Sequence, residues 1–113
     1  MNYEIIPTEF FDRKAEHLAK KYRSFLDDLE SFKKELLKNP MMGVDLGDNT
    51  RKVRMAIASK NKGKSGGARI ITYLLLLTEE NSEIYLLPIY DKSKQDNISK
   101  EDIRQLKKIC GLL

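Results

Sequence analysis

The apolar positions at the start of the chain change their period at residue 8, which separates a predicted strand from a predicted helix. Residues 3–6 are short and β-prone, and Pro7, which has no amide hydrogen to donate to a sheet, follows them. They predict a first strand at or near a sheet edge. From Thr8 the apolar residues recur every three or four positions, which is typical of an amphipathic helix with Thr8 as its N-cap. Its apolar stripe is Phe11, Ala15, Leu18 and Tyr22.

A second helical pattern follows directly. Ser24 is its predicted N-cap, and Asp27 stands three residues on in a capping-box-like position. The helix is expected to end at Asn39, because the residue before Pro40 is pushed out of the α region. Together the two helices predict a hairpin that covers a sheet. The apolar stripe of the second helix is Phe25, Leu29, Phe32 and Leu36.

The middle of the chain predicts strands. Residues 41–49 contain two glycines and an Asp-Asn pair and predict an irregular connection. Residues 52–57 alternate between apolar and more polar side chains, which is typical of a half-buried strand. Residues 68–77 are apolar on both faces and predict the central strand. Residues 84–90 predict a further strand, in which Pro88 indicates an edge position or a bulge.

The last predicted element is a short helix capped by Ser99, with Ile103, Leu106, Ile109 and Leu113 as its apolar side. The order β-α-α-β-β-β-α predicts an α+β fold. We expect a mainly antiparallel four-stranded sheet packed by an N-terminal helical hairpin and a short C-terminal helix. A chain of 113 residues has room for one domain, over residues 1–113.

Composition narrows the class of protein. Hydrophobic residues make up 41% and charged residues 34% of the chain, which is typical of a soluble globular protein. The single cysteine, Cys110, excludes an internal disulfide and a multi-cysteine metal site. No apolar run approaches the roughly 20 residues of a membrane helix, and no secretory signal pattern is present. We expect a cytoplasmic protein without a metal or another cofactor.

The net charge of +4 is concentrated in the middle of the chain. Residues 41–78 hold seven basic and only two acidic side chains. Such a bias is the electrostatic footprint of a protein that binds phosphate, nucleic acid or an acidic partner. Within this segment Gly63-Lys64-Ser65 is not a nucleotide-binding P-loop, because Ala58 stands where that motif needs a glycine. The loop that holds these residues is either a plain solvated connection or a set of flexible phosphate contacts.

Three cations of the predicted strands can share one patch. Lys52 and Arg54 are two residues apart on one strand and therefore point to the same face. Arg69 stands near the start of the neighbouring antiparallel strand, and Tyr90 and Lys92 stand at the end of the next one. This placement predicts a concave basic site. The alternative is that these are ordinary surface cations and that Tyr90 is a half-buried aromatic residue.

Three stretches of the sequence resemble the RelE/HigB toxins of bacterial type II toxin–antitoxin systems. They are Arg51-Lys52-Val53-Arg54, the K-G-K-S-G-G-A-R-I-I run that ends at Ile71, and L-L-P-I-Y-D-K, which ends at Lys92. The similarity extends over nearly the whole chain and points to the HigB-like branch. It implies a small metal-independent toxin that cuts mRNA in the ribosomal A site. It also implies contacts with ribosomal RNA and inhibition by a cognate antitoxin.

The resemblance implies roles for five residues. Arg69 matches the arginine that stabilises charge on the scissile phosphate, and a guanidinium suits that role because its fork binds two oxygens. Lys52 and Arg54 match a basic pair beside the attacking 2′-hydroxyl, and Lys92 matches the cation at the leaving 5′-oxygen. The late tyrosine of RelE has no counterpart in residues 93–99, and Tyr90 is its candidate replacement. The predicted RNA contacts are Arg51, Lys60, Lys62 and Lys64.

The residues themselves leave the general base open. The only histidine, His17, is expected to be structural or exposed on the first helix, so the base is a lysine, a tyrosine or a carboxylate. Lys52 qualifies if crowding by neighbouring arginines lowers its pKa. Two alternative functions also remain. One is a non-catalytic gyrase inhibitor like the ParE toxins, and the other is an RNA- or ribosome-binding module that does not cleave.

Overall fold

One sheet of five strands and three α-helices account for most of the chain. The computed structural model describes residues 1–61 and 63–113. Within these ranges no helix is both long and apolar enough to cross a membrane. The elements are β1 (Asn2–Pro7), α1 (Glu9–Lys21), α2 (Phe25–Lys38), β2 (Val44–Gly47), β3 (Thr50–Met55), a single 3-10 turn (Ala58–Lys60), β4 (Ala68–Leu76), β5 (Asn81–Asp91) and α3 (Lys100–Ile109).

The sheet is mixed, with the strand order β1-β5-β4-β3-β2. β1 pairs with β5 in parallel, whereas the other neighbours are antiparallel. The α+β class is confirmed and the sheet is mainly antiparallel, but it has five strands and one parallel pair where four strands were expected. The missed strand is β2, which pairs with β3 through a two-residue turn at Asp48 and Asn49. Both turn residues have positive φ, which is the signature of a tight hairpin turn and not of an irregular connection.

Pro88 lies at a bulge in an interior strand. Between the pairs Ile70–Ile89 and Thr72–Leu86, β5 advances by one more residue than β4. The extra residue places Pro88 where no ladder hydrogen bond is required. The predicted bulge is therefore confirmed, whereas the alternative of an edge position for this strand was wrong. The edge position of β1 and the central position of β4 are confirmed.

The core lies on both faces of the sheet. On the first face, the stripes of α1 and α2 pack against alternate residues of the sheet such as Val53, Ile70 and Leu86. On the other face, α3 packs through Ile103 against Ile71 and Leu87. α1 makes more contact with β5 than with α2, so the expected helical hairpin is really two consecutive helices laid on the sheet.

The helix caps and the α3 stripe test the local predictions. Thr8 and Ser99 accept the predicted capping hydrogen bonds from backbone N–H groups, whereas Ser24 makes no capping bond because its own backbone is helical. In α3 the expected apolar side was partly wrong, since Ile109 is 73% exposed. Lys107, four residues after Ile103, lies on the buried side in its place.

Candidate functional site

The face of the sheet that carries α3 also carries a row of polar side chains across its middle strands. Arg54 of β3 lies directly opposite Arg69 of β4, and Arg69 lies directly opposite Tyr90 of β5. Lys52 is two residues from Arg54 and so points to the same side. Lys92 follows β5 and extends the ladder by one bond, from its N–H to the carbonyl of Gly67. We call the side chains of Lys52, Arg54, Arg69, Tyr90 and Lys92 the basic face.

Arg69 is the central and most enclosed cation of the basic face. It is 6% exposed, and its guanidinium donates hydrogen bonds to the carbonyls of Lys64, Ser65 and Ala68 at 3.0–3.2 Å. Burial and the neighbouring Arg54 both lower the pKa of Arg69. A guanidinium nevertheless stays protonated at neutral pH. The loop carbonyls therefore hold a permanent positive charge in the middle of the sheet.

Tyr90 is buried beside Arg69 in the neighbouring strand. The residue is 3% exposed, and no hydrogen-bond partner for Tyr90 Oη exists among residues 1–61 and 63–113. Burial raises the pKa of Tyr90, and the charge of Arg69 opposes that shift only in part. Because the phenolate is disfavoured, Tyr90 is suited to donate a hydrogen bond and not to act as a base.

The other three members of the basic face are more accessible. Arg54 is exposed. Lys52 Nζ donates to Asn97 Oδ1 at 3.1 Å, which ties β3 to the loop before α3. Lys92 Nζ donates to the backbone carbonyl of Asp96 at 2.9 Å and lies 3.4 Å from its carboxylate. The loop between β5 and α3 thus orients the two lysines at opposite ends of the row.

Lys60 is not a free surface cation, contrary to expectation. Its side chain is 7% exposed and forms a 2.7 Å ion pair with Asp91, whose own side chain is 1% exposed. Tyr22 and Ser93 donate further hydrogen bonds to the Asp91 carboxylate. Despite the opposing effect of burial, these hydrogen bonds hold the pKa of Asp91 well below its usual range. The cluster joins α1 to the segments that follow β3 and β5, so we do not propose Lys60 as an RNA contact.

Two further predicted RNA contacts, Arg51 and Lys64, are not gathered on the basic face. Arg51 lies opposite Thr72 and points to the other side of the sheet, where it contacts the carbonyl of Gly43 and the carboxylate of Asp45. It therefore cannot crowd Lys52 as expected, because adjacent residues of a strand face opposite ways. Lys64 is 58% exposed at its side chain and pairs with Glu35 of α2 at 3.4 Å. Lys62 lies outside the described residues.

Sequence reasoning missed two buried polar residues. Asp91 is the one carboxylate in the apolar run 84–91, and an acid at the end of a buried strand is a signal that was overlooked. Lys107 stands at helical spacing from Ile103 but was passed over because it is not apolar. His17 is exposed on α1 as expected. Within the described ranges, no group of three or more His, Cys, Asp or Glu side chains could hold a metal ion.

A match to a family model identifies the family of this chain. Residues 5–113 match the family model described as the RelE toxin of the RelE / RelB toxin-antitoxin system. The chain belongs to the RelE toxin family. The resemblance drawn from the sequence is thereby confirmed at the level of the family, while the HigB-like branch stays a prediction. Membership of the family makes this protein a toxin of a toxin–antitoxin system and implies an antitoxin as its partner.

Proposed function

We propose that this RelE-family toxin is a ribosome-dependent mRNA endoribonuclease. The observation that supports the proposal best is the row Arg54–Arg69–Tyr90 across three paired strands, with Lys52 on the same face. A row of cations beside a hydroxyl that has no partner among the described residues suits a phosphodiester, whose charge increases as it is attacked. The paired strands fix the spacing of the row, whereas Arg69 and the Tyr90 hydroxyl are buried in the protein alone, so both contact a phosphate only after their surroundings have moved aside.

The proposed reaction uses four of these groups. Lys52 is the group proposed to accept the proton of the ribose 2′-hydroxyl, and the 2′-oxygen forms a bond to the adjacent phosphorus. Arg69 and Tyr90 donate hydrogen bonds to the phosphorane oxygens. The bond from phosphorus to the 5′-oxygen then breaks, and the Lys92 ammonium gives its proton to that oxygen. The products are a 2′,3′-cyclic phosphate and a 5′-hydroxyl, and no metal or redox partner is consumed.

Dependence on the ribosome fits the state of Arg69. Three hydrogen bonds of its guanidinium already go to backbone carbonyls, two in the loop before β4 and one at Ala68. An arginine has five N–H donors, so only part of the fork is left for a phosphate. A free RNA would have to find this narrow geometry by chance, whereas a ribosome that holds the message in an in-line conformation supplies orientation. We therefore propose ribosome-bound mRNA and ribosomal RNA as the partners, with the antitoxin covering the basic face.

The test is to map mRNA 5′ ends after brief induction of the toxin, with and without a block on translation. We expect translation-dependent cuts with the wild type. Arg69→Lys, which keeps the charge but loses the bidentate fork, should abolish them. Arg13→Ala is the matched control, because Arg13 pairs only with exposed Glu9 on α1.

Two other outcomes would overturn the proposal. DNA damage and growth arrest without mRNA cuts would favour a gyrase inhibitor. Growth arrest with neither cuts nor DNA damage would favour binding without cleavage. Full cleavage by a folded Arg69→Lys protein would show that Arg69 is not the phosphate anchor, even if the protein is a nuclease.

A further inference from the structure

A pocket with a mixed polar and apolar lining lies beside the basic face, between α3 and the hairpin formed by β2 and β3. Its volume is about 200 Å³. Thr50 of β3 and Lys107 of α3 form its inner wall, and Leu46 and Ile103 add apolar surface. None of these residues belongs to the reaction described above.

Lys107 is the unusual feature of the pocket. It is 6% exposed, its ammonium donates to Thr50 Oγ1, and it lies 4.9 Å from the centre of the Tyr73 ring. In the described part of the chain, no carboxylate lies within 4.0 Å of its Nζ atom. Burial lowers the pKa of Lys107, and the nearby Asp48 opposes this shift. A buried cation without a counter-ion is costly, so an anion that entered the pocket would relieve the cost.

The rim of the pocket is also positive. Lys100 and Arg104 of α3 line it together with Lys107, and Asp48 and Leu113 line it as well. Both α3 side chains at the rim are exposed. An anion could therefore reach the pocket from solvent and meet three cations.

The pocket continues the basic face along β3. Thr50 and Lys52 are two residues apart on the same side of the strand, which is about 7 Å. Lys107 therefore lies next in line after Arg54 and Lys52. Successive phosphates of a single RNA strand are spaced on this scale, so an RNA with one phosphate on the basic face can place the next one in the pocket.

We propose that this pocket binds a phosphate group of RNA, either of the message beyond the cleaved bond or of the ribosomal RNA around it. The inference rests on the proposed nuclease function and extends it by a second phosphate subsite. The groups that contact this phosphate are Lys107 at the base of the pocket and Arg104 at its rim. They fix the register of the RNA and take no part in bond breaking.

The experiment measures binding of the purified full-length toxin as a function of salt concentration. The probes are a short single-stranded RNA and ribosomes with a vacant A site. Arg104→Ala should weaken binding roughly tenfold, as expected for a lost hydrogen bond between charged groups, and should lower the log–log salt slope by about 0.7. Lys107→Met, which keeps the shape of the buried side chain, should do the same. Lys108→Ala is the control, because Lys108 is exposed on α3 but does not line the pocket.

The outcomes distinguish a phosphate of the message from one of ribosomal RNA. They also distinguish failure of this inference from failure of the nuclease proposal. Weaker binding of the short RNA supports a phosphate of the message, whereas weaker binding of vacant ribosomes alone supports ribosomal RNA. Affinities and salt slopes equal to those of Lys108→Ala would overturn the inference. So would a loss of antitoxin binding alone, since it would assign the pocket to an acidic protein segment. The mRNA cuts of the wild type, measured in parallel, show whether the nuclease proposal itself stands.

Discussion

The unpaired hydroxyl of Tyr90 leads to a prediction in which stability and activity change in opposite directions. Tyr90→Phe removes one oxygen atom from a residue that is 3% exposed and leaves the ring in place. A buried hydroxyl without a partner costs about 1–3 kcal/mol of desolvation. We expect Tyr90→Phe to raise the free energy of unfolding by about 1–2 kcal/mol, which corresponds to roughly 4–8 °C in Tm for a domain of this size. Cleavage of mRNA should fall at least tenfold, because one donor to the phosphorane is lost.

The assay combines urea and thermal unfolding of the purified variant with the mapping of mRNA ends. Tyr85→Phe is the matched control, since Tyr85 Oη donates to Glu83 at 3.0 Å. Losing that bond should cost about 0.5–1.5 kcal/mol and leave cleavage unchanged. If Tyr90→Phe unfolds more easily than the wild type, the hydroxyl has a partner in the folded protein. If the variant is more stable but cuts normally, Tyr90 does not touch the substrate.

The other predictions concern the segments that frame the basic face. Asp91→Asn leaves the Lys60 ammonium buried without its partner and should cost about 3–5 kcal/mol of stability, with part of the loss recovered when Lys60→Met is added. Folding lowers the pKa of Asp91, so its carboxylate stabilises the fold fully at pH values above the pKa of the unfolded state, which is near 4. This stabilisation is lost as the pH falls from there through the lower pKa of the folded state. The gap in unfolding free energy between wild type and Asp91→Asn should therefore narrow in acid, and a constant gap would contradict the assignment. Gly67→Ala would place a Cβ atom 2.1 Å from the carbonyl oxygen of Met55, so we expect a lower Tm and weaker cleavage, and an unchanged Tm would show that the loop relaxes freely.

The fold was predictable for elements that bury one face, because that face leaves a repeating apolar pattern within a short stretch of sequence. The stripes of α1 and α2 are buried as predicted because a helix that covers a sheet must repeat its apolar residues every three or four positions. β2 was missed because its residues are mostly exposed and leave no apolar alternation to detect. The turn at Asp48 and Asn49 was the available signal. The parallel pairing of β1 with β5 could not be read from either strand alone, since it depends on how α1 and α2 carry the chain across the sheet.

For the candidate site, the sequence could predict only which side chains of one strand share a face of the sheet. Alternation placed Lys52 and Arg54 on one face, and the same rule should have removed Arg51 from that face. Lys60 was misjudged because its partner, Asp91, is 31 positions away and meets it only after β4 and β5 have formed. Composition describes how much charge a segment holds, but the fold decides which charges are already neutralised.

The pairing of β1 with β5 also determines when the sheet of this toxin can be completed during synthesis. Asn2 lies opposite Asn81, so the first strand has no neighbour until nearly three quarters of the chain has been made. At a synthesis rate of about 5–20 residues per second, that wait is roughly 4–16 s. The row of Arg54, Arg69 and Tyr90 is likewise incomplete until β5 emerges. A nascent copy therefore lacks the complete row until β5 has been made, and the edge of β4 that pairs with β5 stays unpaired until then.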